Sequence, residues 1–314
     1  MKLIIIIPCL NEEKTIQSVI KEIPSEIQNI SQIETVVIDD GSTDSTAKLA
    51  KEQGAHILIH SKNEGVGVAF QTGVQYAILQ KADIIVNMDG DGQFNPADIS
   101  KLIEPIINHR ADFVTASRFI DPALYPEMSK IKFRGNRFMS WFISKLTKQK
   151  FHDVSCGFRA YSYDTLLKLN LFGEFTYTQE TFIDLALKGI TIKEIPLKIK
   201  GRRDYGKSRI AFNVFTYAYK TLKIILRAYR DYKPFNLFAF FALISLSIGI
   251  AFGIFLLLFY FHHHRFTPYK WTGFTSIFFI SVSLILLLIG FILDMITRIR
   301  KNQEQILYLL KKNK

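Results

Sequence analysis

The sequence predicts an α/β domain, a mostly parallel sheet with helices on both faces, followed by a C-terminal transmembrane helical hairpin. Three observations predict it. Residues 1–125 alternate short apolar runs with helix-periodic segments, the pattern of a parallel sheet covered on both sides. The polar, glycine-containing motifs fall just after apolar runs, where open α/β sheets bind ligands. Two charge-free stretches, 235–261 and about 271–293, each exceed the roughly 20 residues needed to cross a hydrocarbon core.

The elements follow in order. Residues 3–7 form a continuous apolar strand. Asn11-Glu-Glu-Lys-Thr15 opens a helix with Ile16, Val19, Ile20 and Ile23 at helical spacing, Asn11 as its N-cap and Glu12 and Glu13 in its first turn. Residues 35–38 are a second strand, ending in Asp39-Asp-Gly-Ser-Thr-Asp44 and a helix over 47–52. Residues 55–59 are a third. Asn63-Glu-Gly-Val-Gly67 leads into a helix to about Gln80, its glycines marking either close backbone approach to a ligand or a helix start. Residues 84–87 are a fourth strand, Pro96 starts a further helix, and 113–116 are a fifth strand.

Composition bounds the rest. The chain has 314 residues and a formal net charge of +12, which suits nucleic acid, an anionic membrane or anionic substrates. Its basic residues adjoin the apolar spans, which argues for membrane and against nucleic acid. Cys9 and Cys156 have no CxxC partner, so reduced thiols are expected instead of a disulfide framework or a zinc site. The N-terminal apolar run is too short for a signal peptide. Arg227, Arg230 and Lys233 precede the first span and Arg298, Arg300 and Lys301 follow the second, whereas the link carries only Arg265 and Lys270. The positive-inside rule then puts both termini in the cytoplasm. His262 to His264 in the link read as interfacial residues. Residues 210–230 read as an amphipathic helix in the interface. The tail, 298–314, is a helix candidate that could lie on the membrane or join subunits into a homo-oligomer.

Asn87-Met-Asp-Gly-Asp-Gly-Gln93 carries the sharpest chemical signal. Asp89 and Asp91, two apart on extended backbone, lie on one side. Two hard oxygen donors there suit Mg²⁺ or Mn²⁺ shared with substrate phosphates, although a solvated acidic turn has the same composition. An EF-hand is excluded, because its sixth and twelfth positions counted from Asp89 hold Phe94 and Ser100. There is no P-loop signature, and Gly65-Val-Gly67 lacks the third glycine of a dinucleotide fingerprint.

Taken together, Ile7-Pro-Cys-Leu-Asn-Glu-Glu13, Val37-Ile-Asp-Asp-Gly-Ser-Thr-Asp44, Asn63-Glu-Gly-Val-Gly67 and Asp89-Gly-Asp-Gly-Gln93 resemble the family 2 glycosyltransferases of GT-A (Rossmann-like) fold. Ala116-Ser-Arg-Phe119, Phe133-Arg-Gly-Asn136, Asp153-Val-Ser-Cys-Gly-Phe-Arg159, Glu194-Ile-Pro196 and Arg203-Asp-Tyr-Gly-Lys-Ser-Arg209 are similar to the polyprenyl-phosphate, or dolichol-phosphate-type, sugar transferases. That group also carries C-terminal membrane spans. The resemblance covers about residues 1–230. It departs at Arg209, where the family usually has lysine. The Gln-x-x-Arg-Trp signature of processive polysaccharide synthases is missing.

The resemblance implies an inverting transfer of one sugar from a UDP- or GDP-sugar to a polyprenyl phosphate, undecaprenyl or dolichyl. It implies a cytoplasmic catalytic domain over 1–209, an interfacial region over 210–233, two spans within 234–297 and a basic tail over 298–314. Pro8, Leu10, Glu12, Ile38, Asp40, Asp89 and Gly90 match donor-contacting positions, Asp40 at the one that reads the nucleobase. Asp39 beside it is expected to structure the loop. Asp91 and Gln93 match the metal-holding positions. Arg118, Arg134, Arg203 and Arg209 match cations for the acceptor phosphate, a use that suits arginine's paired donors. Asp153 is expected either as base or orienting group for the acceptor, or as a structural residue of its turn. Residues 177–180 and the helix after them are expected to close the back of the acceptor side. Two other readings stay open: another membrane acceptor, such as a diacylglycerol or a polysaccharide, and a non-catalytic scaffold that binds nucleotide sugar.

Overall fold

The computed structural model describes residues 1–170, 177–203, 205, 223, 227 and 230–313. Clustering of close contacts divides the chain into two compact units, 1–212 with 307–314, and 213–306. The first is built on a seven-stranded sheet: β1 (Lys2–Cys9), β2 (Gln32–Asp39), β3 (His56–Ile59), β4 (Ile84–Asn87), β5 (Phe113–Ser117), β6 (Arg159–Ser162) and β7 (Ile192–Pro196), in the order β3-β2-β1-β4-β6-β5-β7. β1 lies between β2 and β4, parallel to both, and Leu3 to Ile7 are all 0 % exposed. Both faces of β1 are therefore covered, which is why it reads as unbroken isoleucine and not as an alternating strand.

Helices α1 (Ile16–Lys21), α2 (Thr46–Glu52), α3 (Val66–Leu79), α4 (Ile99–Ile107), α5 (Lys130–Thr147), α6 (Tyr163–Lys168) and α7 (Tyr177–Leu187) complete this unit. The five expected strands are all present. The sequence reading missed β6 and β7. β6 runs antiparallel to β4 and β5, breaking the parallel order, and opens on an arginine instead of an apolar residue. β7 has only half-buried and exposed positions and lacks an apolar run.

Because β1, β2, β3 and β4 are parallel, the loops after them share one edge, and they are tied together there. Asn11 N–H donates to Ser42 Oγ (2.9 Å), Glu12 N–H to Thr46 Oγ1 (2.8 Å) and Thr43 N–H to Asn11 Oδ1 (2.8 Å). Thr15 Oγ1–H donates to Gly90 O (2.7 Å), tying the β1 loop to the β4 loop. Asn11 is thus not the N-cap of α1. It sits at φ 53° and holds the neighbouring loop, while α1 begins only at Ile16. Cys9 and Cys156 are free and buried, and the Cys9 sulfur packs where a side chain on Gly90 would otherwise lie.

In the second unit, α8 (Pro234–His263) and α9 (Lys270–Lys312, whose end belongs to the first unit) are long and apolar enough to cross a membrane. They meet through small residues. A Cβ on Gly249 would lie 2.9 Å from Ile280 Cγ1, and Ser276 Oγ–H donates to Gly249 O (2.7 Å). Such pairs let helices approach closely where the surroundings are apolar. The α8 helix stops at His263, with His264 in the left-handed conformation at its C-cap (φ 51°), so part of the histidine run serves as a helix terminator. The second apolar stretch and the tail share one helix: α9 runs through to Lys312, since nothing after residue 290 is a helix breaker. The tail's last residues pack on the first unit. Tyr308 O–H donates to Asp164 Oδ1 (2.7 Å), and Lys311 Nζ donates to Leu169 O (3.0 Å) and Asn170 Oδ1 (3.1 Å), capping the carbonyl end of α6.

Gly41 is a tight backbone crossing of the loop edge. It sits at φ 77°, and a Cβ there would lie 2.7 Å from the Lys62 carbonyl carbon. Gly41→Ala is expected to destabilise the protein by about 1–3 kcal/mol through backbone strain and contact. A clearly lowered unfolding midpoint of the detergent-solubilised protein would show it, and an unchanged midpoint would mean the loop yields freely.

Candidate active site

At the end of β4 the chain turns sharply, and the acidic residues enter the loop edge. Asp91 is 2 % exposed. Its Oδ1 accepts from Gln93 N–H (3.0 Å). Its Oδ2 lies 2.8 Å from Arg203 Nε, but off the N–H direction, so this buried oxygen has no aligned hydrogen bond. Arg203 Nη1 also reaches Glu12 Oε1 (3.1 Å). Asp89 is half-buried and accepts no hydrogen bond among the described residues; a Cβ on Gly157 would lie 3.3 Å from its Oδ2. Burial and the neighbouring Asp91 push the Asp89 carboxyl up to about 7, and burial also raises Asp91 against the pull of Arg203. Two carboxyl groups that resist ionising side by side will accept added positive charge readily.

These residues fit a divalent cation. The Asp91 Oδ2 is a hard anionic donor without a directed hydrogen bond, and Asp91 and Glu12 both raise the neighbouring Asp89 carboxyl. The Gln93 Nε2 amide donates to Lys200 O (2.8 Å), which fixes the side chain and leaves its carbonyl oxygen available. Among the described residues no cluster of three or more His, Cys, Asp or Glu could hold a metal alone. This sparse set suits Mg²⁺ or Mn²⁺, ions that complete their coordination with water and substrate phosphates.

The donor-side positions sit together. Pro8 and Ile38 are partners in register at the ends of β1 and β2, Leu10 and Glu12 follow β1, and Gly90 follows Asp89. Asp39, buried, caps its own turn by accepting from Ser42 N–H (2.8 Å), as expected. Asp40 differs. Its Oδ1 accepts from Glu64 N–H (2.9 Å) and lies 2.8 Å from His60 Nδ1, and its Oδ2 accepts from Gly65 N–H (2.8 Å). It clamps the loop leading into α3, and any base contact would be additional to that work.

The acceptor-side expectations change more. Asp153 is fully buried, and Arg118 grips it through Nε to Oδ2 (2.6 Å) and Nη2 to Oδ1 (2.9 Å). Burial alone would raise this carboxyl, but the Arg118 guanidinium and backbone donors hold it below the usual carboxylate range. A buried, bidentate, low-pKa carboxylate does not fit a general base. Asp153 instead aims Arg118, which is the structural alternative for its turn. Arg118 Nη2 also donates to Ser155 Oγ (3.1 Å), whose hydroxyl donates to Asn136 Oδ1 (3.0 Å) on α5. Arg134, on α5, is exposed and has no ion-pair partner among the described residues. Arg203 lies at the carboxylates. Arg209 lies outside the described residues, as does the stretch over 210–230 except Lys223, Arg227 and Arg230.

Sequence reasoning gave no role to three supporting residues, Glu194, Asn87 and Arg159, although each stood in a motif it quoted. Glu194 of β7 accepts from the backbone N–H groups of His152 and Asp153, 2.8 Å each, fixing the Asp153 turn. Asn87 Nδ2 donates to Gly157 O (2.9 Å) and to Tyr177 Oη (2.8 Å) behind the acidic loop, so the start of α7 backs the carboxylate strand. Arg159 is 0 % exposed, donates to Cys156 O (2.7 Å) and lies over the Phe182 ring (5.0 Å). Its charge counteracts the rise at Asp89. The motif Asp153-Val-Ser-Cys-Gly-Phe-Arg159 held that signal, since an arginine beginning an apolar strand has to find partners indoors.

Comparisons with known proteins follow the geometry. The Glycosyl transferase family 2 model matches residues 4–169. The UDP-N-acetylglucosamine–dolichyl-phosphate N-acetylglucosaminyltransferase of Methanococcus voltae is 33 % identical over 214 residues, covering 62 % of this chain and 84 % of that protein. The polyprenol monophosphomannose synthase of Mycolicibacterium smegmatis is 24 % identical over 218 residues, covering 66 % and 80 %. Among solved structures, glucosyl-3-phosphoglycerate synthase from Mycobacterium tuberculosis, in complex with Mn²⁺, UDP and glucosyl-3-phosphoglycerate, superposes with a TM-score of 0.52. It is 19 % identical over 72 % of this chain and 78 % of that one, a likeness of fold.

The Asp153–Arg118 pair has a pH signature. A carboxyl depressed on folding contributes stability above its unfolded value and loses it as pH falls through its folded value. Asp153→Asn should therefore lower the unfolding midpoint at pH 7, with the gap to the natural protein closing as pH drops below about 4, the ordinary aspartate range. Thermal melts across that range test it, and a gap independent of pH would refute the pairing.

Proposed function

The chain belongs to glycosyl transferase family 2, and on that premise we propose that it moves one sugar, with inversion, from a UDP- or GDP-sugar to a polyprenyl phosphate at the cytoplasmic face of a membrane. The observation that carries the reading is the buried Asp91 oxygen at the shared loop edge, beside Asp89 and the donor-side residues. The relatives that act on dolichyl phosphate and make polyprenol monophosphomannose, and the two apolar C-terminal helices, support the acceptor class.

Asp91 and Gln93 would hold Mg²⁺ or Mn²⁺, which when bound supplies positive charge for the departing nucleoside diphosphate. The chain's residues do the rest. Pro8, Leu10, Ile38 and Gly90 line the nucleotide side, and Asp89 faces the donor sugar. Gly157 leaves the space that the Asp89 carboxylate occupies. On the acceptor side Arg118, oriented by Asp153 and Ser155, offers a fixed guanidinium, and Arg134 an exposed one, to a phosphate. Such a phosphate monoester is mostly a dianion at pH 7, its second pKa lying near 6, so the nucleophile arrives already deprotonated. The commitment of Asp153 to Arg118 is consistent with a reaction that needs no separate base.

Membranes containing the protein, given labelled UDP- and GDP-sugars with undecaprenyl or dolichyl phosphate, should form a lipid-linked monosaccharide that disappears on chelation. Asp91→Asn should cut its formation by roughly 10²-fold or more, the scale of losing one transition-state charge contact. Product on a diacylglycerol or polysaccharide would reassign the acceptor, and no product from any donor would remove the enzymatic reading. The basic flanks of the two helices place both termini in the cytoplasm in this scheme. A reporter fused after Lys314 should then resist protease added outside intact cells, and its digestion would reverse the orientation.

A further inference from the structure

Arg203 matches an expected phosphate ligand, yet its guanidinium sits between two carboxylates. Nη1 is 3.1 Å from Glu12 Oε1 and Nε 2.8 Å from Asp91 Oδ2. Glu12 comes from the loop after β1, Asp91 from the loop after β4, and residue 203 follows β7. One side chain therefore neutralises charge delivered by two separate loops. Asp91 Oδ1 already accepts from Gln93 N–H, and Oδ2 is the oxygen held by the guanidinium and lacking any directed hydrogen bond. A divalent ion and the guanidinium contend for that same oxygen. Two cations at contact distance in a partly desolvated site repel strongly. The Arg203 contact is also poorly aligned, leaving Oδ2 without a directed hydrogen bond. The arginine side chain is 23 % exposed, so it can leave toward solvent.

We infer that Arg203 is a displaceable counter-ion of the Glu12–Asp91 pair: it neutralises these carboxylates before metal binding, yields Asp91 to the divalent cation, and is released to bind phosphate oxygens. The inference rests on the proposed reading of Asp91 as a cation ligand. It gives the site an order. Metal binding is held weak until phosphate is present to receive the displaced guanidinium, so the two ligands are coupled through one side chain. Glu12 then acts as a positioning residue for the arginine.

The test uses the full-length protein in detergent, with Mn²⁺ alone titrated by the electron paramagnetic resonance signal of the free ion. Arg203→Ala should bind Mn²⁺ about tenfold more tightly than the natural protein, within the usual range of site coupling. Arg203→Lys keeps the charge and should stay near the natural affinity, and Asp91→Asn should bind far more weakly than either. At saturating Mn²⁺, Arg203→Ala should instead lose phosphate affinity several-fold. Loss for UDP assigns the released guanidinium to the donor diphosphate, and loss for a short-chain prenyl phosphate assigns it to the acceptor. Opposite signs for metal and phosphate are the signature, because a merely damaged site loses both. Mn²⁺ affinity of Arg203→Ala equal to or below the natural value overturns the inference, as does unchanged affinity for both phosphates. If neither the natural protein nor Arg203→Ala binds Mn²⁺ saturably, the cation reading of Asp91 itself falls.

Discussion

Two carboxylates lie side by side at the end of one strand, with little water to screen them. That electrostatic demand organises much of what surrounds them. Asp91 is almost completely buried and Asp89 half-buried, and burial raises both carboxyls. An arrangement of this kind is unfavourable unless positive charge is brought in. The fold brings it from several directions. Arg203 approaches after β7, Arg159 enters from β6 beneath the loop, and a backbone N–H comes from Gln93. Both carboxyls stay raised despite these donors, so further positive charge would stabilise them.

The parallel order of β1, β2, β3 and β4 makes that demand affordable in backbone terms. Loops leaving parallel strands at one edge can share hydrogen bonds, and here many polar residues of the motifs are used on one another. Asn11, Ser42, Thr43, Asp44 and Thr46 lace two loops, Thr15 joins a third, and Asp40 holds a fourth. The motif residues divide into a small set that faces ligand space and a larger set that fixes the backbone. Spacing within the sequence cannot separate the two sets, because both need the same short polar side chains.

That division accounts for what was legible in the sequence. The β1 to β5 strands were visible because each carries an apolar run, and the acidic pair because it ends one. β6 was hidden because its polar first residue, Arg159, is buried against the nearby carbonyls of Val154 and Cys156 and the sequence-distant rings of Phe113 and Phe182. Asp40 and Asn11 were read by position as ligand contact and helix cap, but their side chains are taken by loops 24 and 32 residues away, as with Glu64 and Thr43. Glu194, which fixes the turn of Asp153 from 41 residues away, has no local signal beyond its place in Glu194-Ile-Pro196. Local pattern reports which segments are buried, while long-range pairing decides which polar atoms remain free.

The distinction bears most on the arginines. Four were grouped by a shared expectation of phosphate binding, but the described ones occupy three electrostatic situations. Arg118 is locked to a buried aspartate and is rigid, a pre-oriented donor whose entropy is already spent. Arg134 is exposed on a helix and must be ordered by whatever it binds. Arg203 is held by carboxylates that a divalent cation would also seek. On the proposed reading, an entering phosphate would meet the fixed Arg118, order the exposed Arg134, and gain Arg203 only when Asp91 has another counter-charge. Charge would on that reading be assembled in steps, with Asp91 setting when Arg203 becomes available.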